Sequence, residues 1–304
     1  MMLFDFETTT FGKWILVGEH AVVRGHAALV FPIKEKKLTL SYSAVAPLSA
    51  DYSGDSGADM HLLFWSVLEH GMQLLGYSLT QLSGHFHIDS SIPVGVGMGA
   101  SAALCVAMSR WFSAQKMLET AQCSIFAKEL EHLFHGKSSG LDVAGVAAEG
   151  GNYFKLGSAI PLQQKIYPQF VLSSCKQIGI TSHCIQQVEH LWNTNPNLAK
   201  HIDKQMVEAV EEAKNALEQG GPEALSCLAK AINKAAGCFS QWGLVSESLQ
   251  QHMNRLREEG ALAVKPTGSG GGGFVLSLWD KLPPQELVGY RIPNQQNDNK
   301  FRFL

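Results

Sequence analysis

Apolar positions in the first third of the chain favour strands. Lys13–Val17 is a buried-strand run that stops at Gly18, and Ala27–Ile33 is a second, broken by Pro32. Leu38–Val45 alternates apolar and polar side chains, the two-residue period of a half-buried strand, and His85–Ile92 alternates again. Between them, the polar stretch 51–59 reads as a loop. Met60–Leu75 carries Leu63, Val67, Leu74 and Leu75 near helical spacing. Ser101–Phe112 is small and apolar nearly all round, which predicts a buried helix rather than a surface one. Gln122–Leu133 continues helical, and His135–Asn152 is rich in Gly and Ser around one Asp.

The pattern shifts near residues 157–167, and a domain boundary there gives segments 1–160 and 161–304. The second segment opens with a strand at Phe170–Ser174. Ile202, Met206, Ala209, Val210, Ala213 and Leu217 then recur at helical spacing until Gly220-Gly221 stops them. Leu225, Leu228, Ala229 and Ile232 mark the next helix, opened by Pro222, and Leu249–Arg257 a third. A glycine-rich stretch, Lys265–Gly273, feeds a strand at Phe274–Trp279, and the rest reads as irregular. Strands and helices mixed in this order predict a two-domain α+β protein.

Composition narrows the function classes. The 304 residues suffice for about two domains. With 24 basic against 27 acidic residues, the chain lacks the positive field that nucleic acid requires. No apolar run approaches the ~20 residues of a membrane span. Met1–Thr10 carries Asp5 and Glu7 and has no basic region, unlike a signal peptide. Six cysteines without a CxxC pair point to a reduced, cytoplasmic protein. Charged residues are only 17%, which suits a buried subunit interface such as a homodimer's.

Four segments carry candidate chemistry. In Pro93-Val94-Gly95-Val96-Gly97-Met98-Gly99-Ala100-Ser101, a strand feeds alternate glycines and then a helix. Glycines let backbone N–H groups approach an anion, and the helix N-terminus adds free N–H groups and positive dipole. The spacing is neither that of the common P-loop nor that of a dinucleotide fingerprint. A tight strand–helix packing turn is the alternative. Lys265-Pro266-Thr267-Gly268-Ser269 followed by four glycines leads straight into an apolar strand, as where a ligand or another backbone comes close. Lys13 opens a buried strand that ends at Gly18-Glu19-His20, although a lysine there is ordinarily a solvated edge residue. Asp142 follows His135-Gly136-Lys137-Ser138-Ser139-Gly140-Leu141, with Glu131 upstream, and alone it reads rather as an ordinary turn aspartate. Together, two glycine loops, a lysine, a glutamate and an aspartate are the parts of phosphoryl transfer. His85 and His87 share a strand face but lack a third ligand and read as surface or packing residues, while Asp51, Asp55 and Asp59 lack calcium-loop spacing and read as a mobile loop near the nucleotide.

In the order GKWILVGEHAVVRG, PVGVGMGASAA, HGKSSGLD and KPTGSGGGG, these segments resemble the GHMP small-molecule kinases, and GEHAVV with HGxxSGxD is most similar to the mevalonate kinases among them. The resemblance implies an N-terminal domain like the second domain of ribosomal protein S5 and a ferredoxin-like C-terminal domain, with substrates between them. It implies ATP and Mg²⁺ as cofactors and phosphorylation of the C5 hydroxyl of mevalonate, with no nucleic-acid or membrane partner. Asp142 would be the catalytic base and Lys13 the cation beside it, both against the substrate. Pro93, Gly95, Val96, Gly97, Met98, Gly99, Ala100 and Ser101 would cradle ATP, and Ser101 and Glu131 would hold the metal. Glu19, His20, Thr181 (or Ser182) and Gly268 would face mevalonate. The chain departs from the family pattern at Phe11, Ala100 and Val143. Gly-Leu-Asp-Val-Ala is also similar to phosphomevalonate kinase, which keeps that kinase, or another of the family, as the alternative.

Overall fold

The computed structural model describes residues 4–45, 47–135, 138–177, 179–281 and 290–292. The chain forms two compact units, Met1–Trp14 with Phe31–Gly151, and Ile15–Val30 with Asn152–Leu304. Strands β1 (Phe6–Val17) and β2 (Ala28–Ser43) each contribute residues to both.

In the first unit, β2 pairs with β1 and with β4 (His85–Ser90), and β3 (Ser49–Ser53) lies parallel to β4. The alternation in β4 turns Phe86 and Ile88 inward, where Phe86 meets Trp111 at 4.9 Å and Phe64 at 5.0 Å. Those partners come from helices α1 (Met60–Leu74) and α2 (Ala100–Ala114). Helix α2 is buried on nearly every side, as its composition predicts, and packs against α3 (Cys123–His135) and the short α4 (Leu141–Val146). Gly71 in α1 is needed for close approach, since a Cβ there would meet the Phe112 ring at 2.5 Å.

Two sequence expectations change here. Pro32 does not break its strand: antiparallel pairing to β5 (Asn152–Lys155) ends at Val30 and pairing to β4 begins at Leu38. The missing N–H therefore removes no bond to β5 or to β4. Residues 51–53 belong to a strand rather than a loop. Asp51 accepts a 2.5 Å bond from His87, and Ser49 and Ser53 bond His85 and His87, so polar side chains satisfy one another on an outer sheet face.

In the second unit, β5 forms a hairpin with β6 (Ser158–Pro161). A separate antiparallel sheet has the order β10-β7-β9-β8, from β7 (Gln169–Ser174), β8 (Ala263–Pro266), β9 (Phe274–Trp279) and β10 (Tyr290–Ile292). Helices α5 (Thr181–Thr194), α6 (Pro196–Gln219), α7 (Ala224–Gln241) and α8 (Glu247–Glu258) accompany it. Asn195 caps α6 ahead of Pro196, and Ser246 caps α8, each accepting from a first-turn N–H. Val171, Val264, Val275 and Trp279 of the sheet bury against Leu249, Met253 and Leu256 of α8. No helix among the described residues is long and apolar enough to cross a membrane. The C-terminal stretch expected to be irregular contains β10, and its other residues beyond Lys281 lie outside the described ones.

Candidate active site

The site chemistry of the first unit gathers around β1. The Lys13 N–H donates to the Met98 carbonyl at 2.9 Å, which ties the strand to the glycine turn. Within that turn Gly95, Gly97 and Gly99 all have φ near +80. A Cβ on Gly99 would strike Lys13 Cγ at 2.8 Å and Val146 Cγ1 at 2.9 Å, whereas Cβ atoms on Gly95 and Gly97 would meet nothing within 4 Å. The turn thus packs on protein at Gly99 and stays open at the other two, where a ligand has room. Helix α2 follows directly, with Ala100 and Ser101 in its first turn. Its leading N–H groups and dipole face the open turn, a setting suited to phosphate.

Asp142 lies in the first turn of α4, after Gly140 in the left-handed conformation. Ser138 Oγ accepts from Gly140 N–H at 3.0 Å and Ser139 Oγ accepts from Leu141 N–H at 3.2 Å, which fixes the start of the helix. Lys13 Nζ sits 2.8 Å from Asp142 Oδ1. The lysine is 3% exposed and the aspartate 30%, so the cation is enclosed while the carboxylate reaches outward. The solvated-edge reading of Lys13 is thereby excluded.

Glu131, on α3, is buried and accepts a short hydrogen bond from Ser138 Oγ. Burial first, then the nearby Asp142 charge, raises its pKa to about 7, against the pull of Ser138, Lys13 and Lys128. Two carboxylates with one close lysine leave negative charge that a divalent cation would balance. A hydroxyl from Ser101 with the Glu131 carboxylate is a donor set that suits Mg²⁺ completed by phosphate and water. Among the described residues, no group of three or more His, Cys, Asp or Glu could hold a metal, so phosphate and water oxygens would supply the remaining positions.

The second unit holds the other sequence-derived candidates. Glu19 Oε1 accepts from Lys265 Nζ at 2.5 Å, and both side chains are buried. Burial raises the Glu19 pKa, and Lys265 and the Gly268 backbone oppose that rise. Burial lowers the Lys265 pKa, with Glu19 opposing. Glu19 Oε2 is buried and makes no hydrogen bond among the described residues. His20 adopts φ +59, rare for a non-glycine residue, and its Nε2 lies 2.9 Å from the Ser269 carbonyl. A carbonyl accepts only, so Nε2 carries the proton and Nδ1 is the open acceptor. Burial lowers the His20 pKa to about 4, keeping the ring neutral near pH 7.

The glycine segment after β8 is tied down at several points. Thr267 Oγ1 donates to the Ile15 carbonyl at 3.0 Å, and Thr181 Oγ1 is 3.3 Å from Ser269 Oγ. Cys184 Sγ donates to the Gly270 carbonyl at 3.3 Å. Gly268 stays open, while Gly270 packs on Leu244 and Phe239. The structure therefore brings Glu19, His20, Gly268 and Thr181 around one turn. Sequence reasoning missed Lys265 as a partner of Glu19, Ser138 as a partner of Glu131, and α5 as the element that carries Thr181. The one signal for Lys265 was its place at the start of the glycine-rich stretch Lys265–Gly273.

Comparison with known proteins decides the family. The model of the GHMP kinases N terminal domain matches residues 63–151. A mevalonate kinase of Aeropyrum pernix is 30% identical over 289 residues, covering 88% of this chain and 86% of its own. The chain belongs to the GHMP kinases. Its fold is that of the family: a solved mevalonate kinase of L. major, in complex with R-mevalonate, superposes with a TM-score of 0.75 at 24% identity, covering 91% of this chain and 87% of that one. A Streptococcus pneumoniae phosphomevalonate kinase superposes at 0.70 with 17% identity and 92% of each chain covered. Fold alone does not separate substrates within the GHMP kinases.

Proposed function

We propose that this GHMP kinase transfers the γ-phosphoryl group of ATP to the C5 hydroxyl of (R)-mevalonate, giving 5-phosphomevalonate and ADP in isoprenoid synthesis. The observation that carries the reading is the Lys13–Asp142 contact at 2.8 Å, beside the open glycine turn. Asp142 accepts the hydroxyl proton as the oxygen bonds to phosphorus and the bond to the ADP oxygen breaks. Lys13 stabilises the negative charge that develops on that oxygen and on the migrating group. The turn Pro93–Ala100 and the backbone N–H of Ser101 hold the nucleotide phosphates. Ser101 and Glu131 would hold Mg²⁺, which would neutralise charge on the phosphates. Glu19, His20, Thr181 and Gly268 orient mevalonate. His20 Nδ1 is an acceptor, which suits a hydroxyl donor better than a phosphate dianion. That favours mevalonate over phosphomevalonate.

The test is a coupled assay of the purified protein with ATP and Mg²⁺ against mevalonate, phosphomevalonate, galactose and homoserine. Production of 5-phosphomevalonate from mevalonate is expected. Transfer confined to phosphomevalonate would move the chain to the alternative kinase, and no transfer to mevalonate would reject the reading.

A further inference from the structure

We propose that Arg24 and Asp203 form a clamp that positions His20, making Arg24 a positioning residue for substrate binding. The inference rests on the placement of His20 against mevalonate. Immediately after His20 the chain makes a single tight turn, Ala21–Arg24, that ends at Gly25. Its backbone bonds are local: Ala21 N–H to Glu19, Val22 to Gly18, Val23 to His20, Gly25 to Val22 and His26 to Ala21. Such a turn holds its own shape but does not fix its orientation. Arg24 supplies that anchor. Its Nε and one terminal nitrogen each donate to a different Asp203 oxygen at 2.6 Å, and the guanidinium lies 5.0 Å above the Trp192 ring.

Asp203 interrupts an apolar helix face. It sits on α6 among buried Ala199, Ile202, Met206 and Val210, and is 3% exposed. A carboxylate there costs several kcal/mol of desolvation, which a two-toothed planar partner offsets far better than a point charge. His20 supplies the reason for such an anchor. Its sparsely populated backbone, φ +59 with ψ −48, costs on the order of 1–3 kcal/mol and persists only when its surroundings fix it from more than one side. One side is the bond to Ser269, with the ring edge-on to Trp242 and Phe239. The other is the clamp four residues on. The sequence pattern alone did not connect Arg24 with Asp203.

Two readouts separate positioning from bulk stability. The first is kinetic: Arg24→Gln raises KM for mevalonate about tenfold, the scale of one misplaced hydrogen-bonding group, with kcat and KM for ATP within about twofold. Arg24→Lys keeps the charge without the fork and gives an intermediate KM. The second is the titration of the His20 ring followed by NMR. Charged groups that bear on the ring are Arg24 and Asp203 of the clamp and Lys265 of β8, with Glu19 adjacent in the chain. The Cys238 thiol of α7, near Asp203 and Glu19, has its pKa pushed up to about 12 and stays neutral. Arg24 opposes protonation of His20 and Asp203 favours it. Arg24→Gln therefore moves the His20 midpoint up, Asp203→Asn moves it down, and Arg24→Lys leaves it in place.

Equal rises in KM for both substrates, or a His20 midpoint unmoved by both neutralising variants, would overturn the proposal. If those variants show no melting transition, Arg24→Lys decides by its KM split alone. If the unaltered protein fails to phosphorylate mevalonate, the functional reading falls while the opposed His20 shifts still decide the clamp.

Discussion

The first unit pairs Lys13 with Asp142 at 2.8 Å and the second pairs Lys265 with Glu19 at 2.5 Å, yet their surroundings differ. Asp142 keeps 30% of its side chain exposed, whereas Glu19 and Lys265 keep 2% and 0%. A carboxylate open to a ligand can exchange a proton with it. One enclosed with its lysine can lend a fixed charge and a free lone pair, but the enclosure yields little net stability. Exposure, more than distance, thus separates a pair suited to chemistry from a pair suited to shaping a binding surface.

The sharpest way to break this contrast is Asp142→Asn. Loss of a positioned base lowers kcat by about 10²–10⁴-fold, with modest change in KM, as steady-state kinetics would register. A kcat within tenfold of the unaltered enzyme would remove Asp142 from the role of base. Next comes stability. Lys265→Met leaves Glu19 enclosed without its cation and should cost about 3–5 kcal/mol in urea unfolding. Lys13→Met leaves Asp142 partly hydrated and should cost no more than about 1 kcal/mol. Equal losses would erase the distinction. Recovery in the double variant Glu19→Gln with Lys265→Met would strengthen it.

A further test of the enclosed side is a pH dependence. The His20 pKa is lowered in the fold, from 6.5 to about 4, so between those values the unfolded chain binds the proton more readily. Stability from this group is therefore full above pH 6.5 and declines as pH falls towards 4, by roughly 3 kcal/mol at most. Melting curves from pH 7 to 4 should show the decline, and His20→Asn should flatten it. An unchanged slope in that variant would assign the acid sensitivity elsewhere.

The parts legible in the sequence were those whose side chains declare their surroundings. Helix α2 is small and apolar nearly all round, and α6 repeats its buried face from Ala199 to Leu217, so both were readable. Helix α5 was not, because only Cys184 and Val188 are buried along it. Strand β3 carries Asp51 on an outer face, and β6 is exposed throughout, so neither shows an apolar rhythm. Lys265 interrupts β8 with a charge that ordinarily marks a surface. Its partner lies 246 residues away, and no local pattern encodes such a meeting. Resemblance had grouped Lys13 with Asp142, while the contact itself, 129 residues apart in sequence, came from the structure.

The membership of Ile15–Val30 in the second unit has a bearing on synthesis. A ribosome makes this segment early, but the residues that complete its unit, from Asn152 onward, emerge much later. Gly18, Glu19 and His20 must wait unassembled while the helices around Trp111 can already pack. Lys265 follows Glu19 by 246 residues, so Glu19 is made long before its counter-ion.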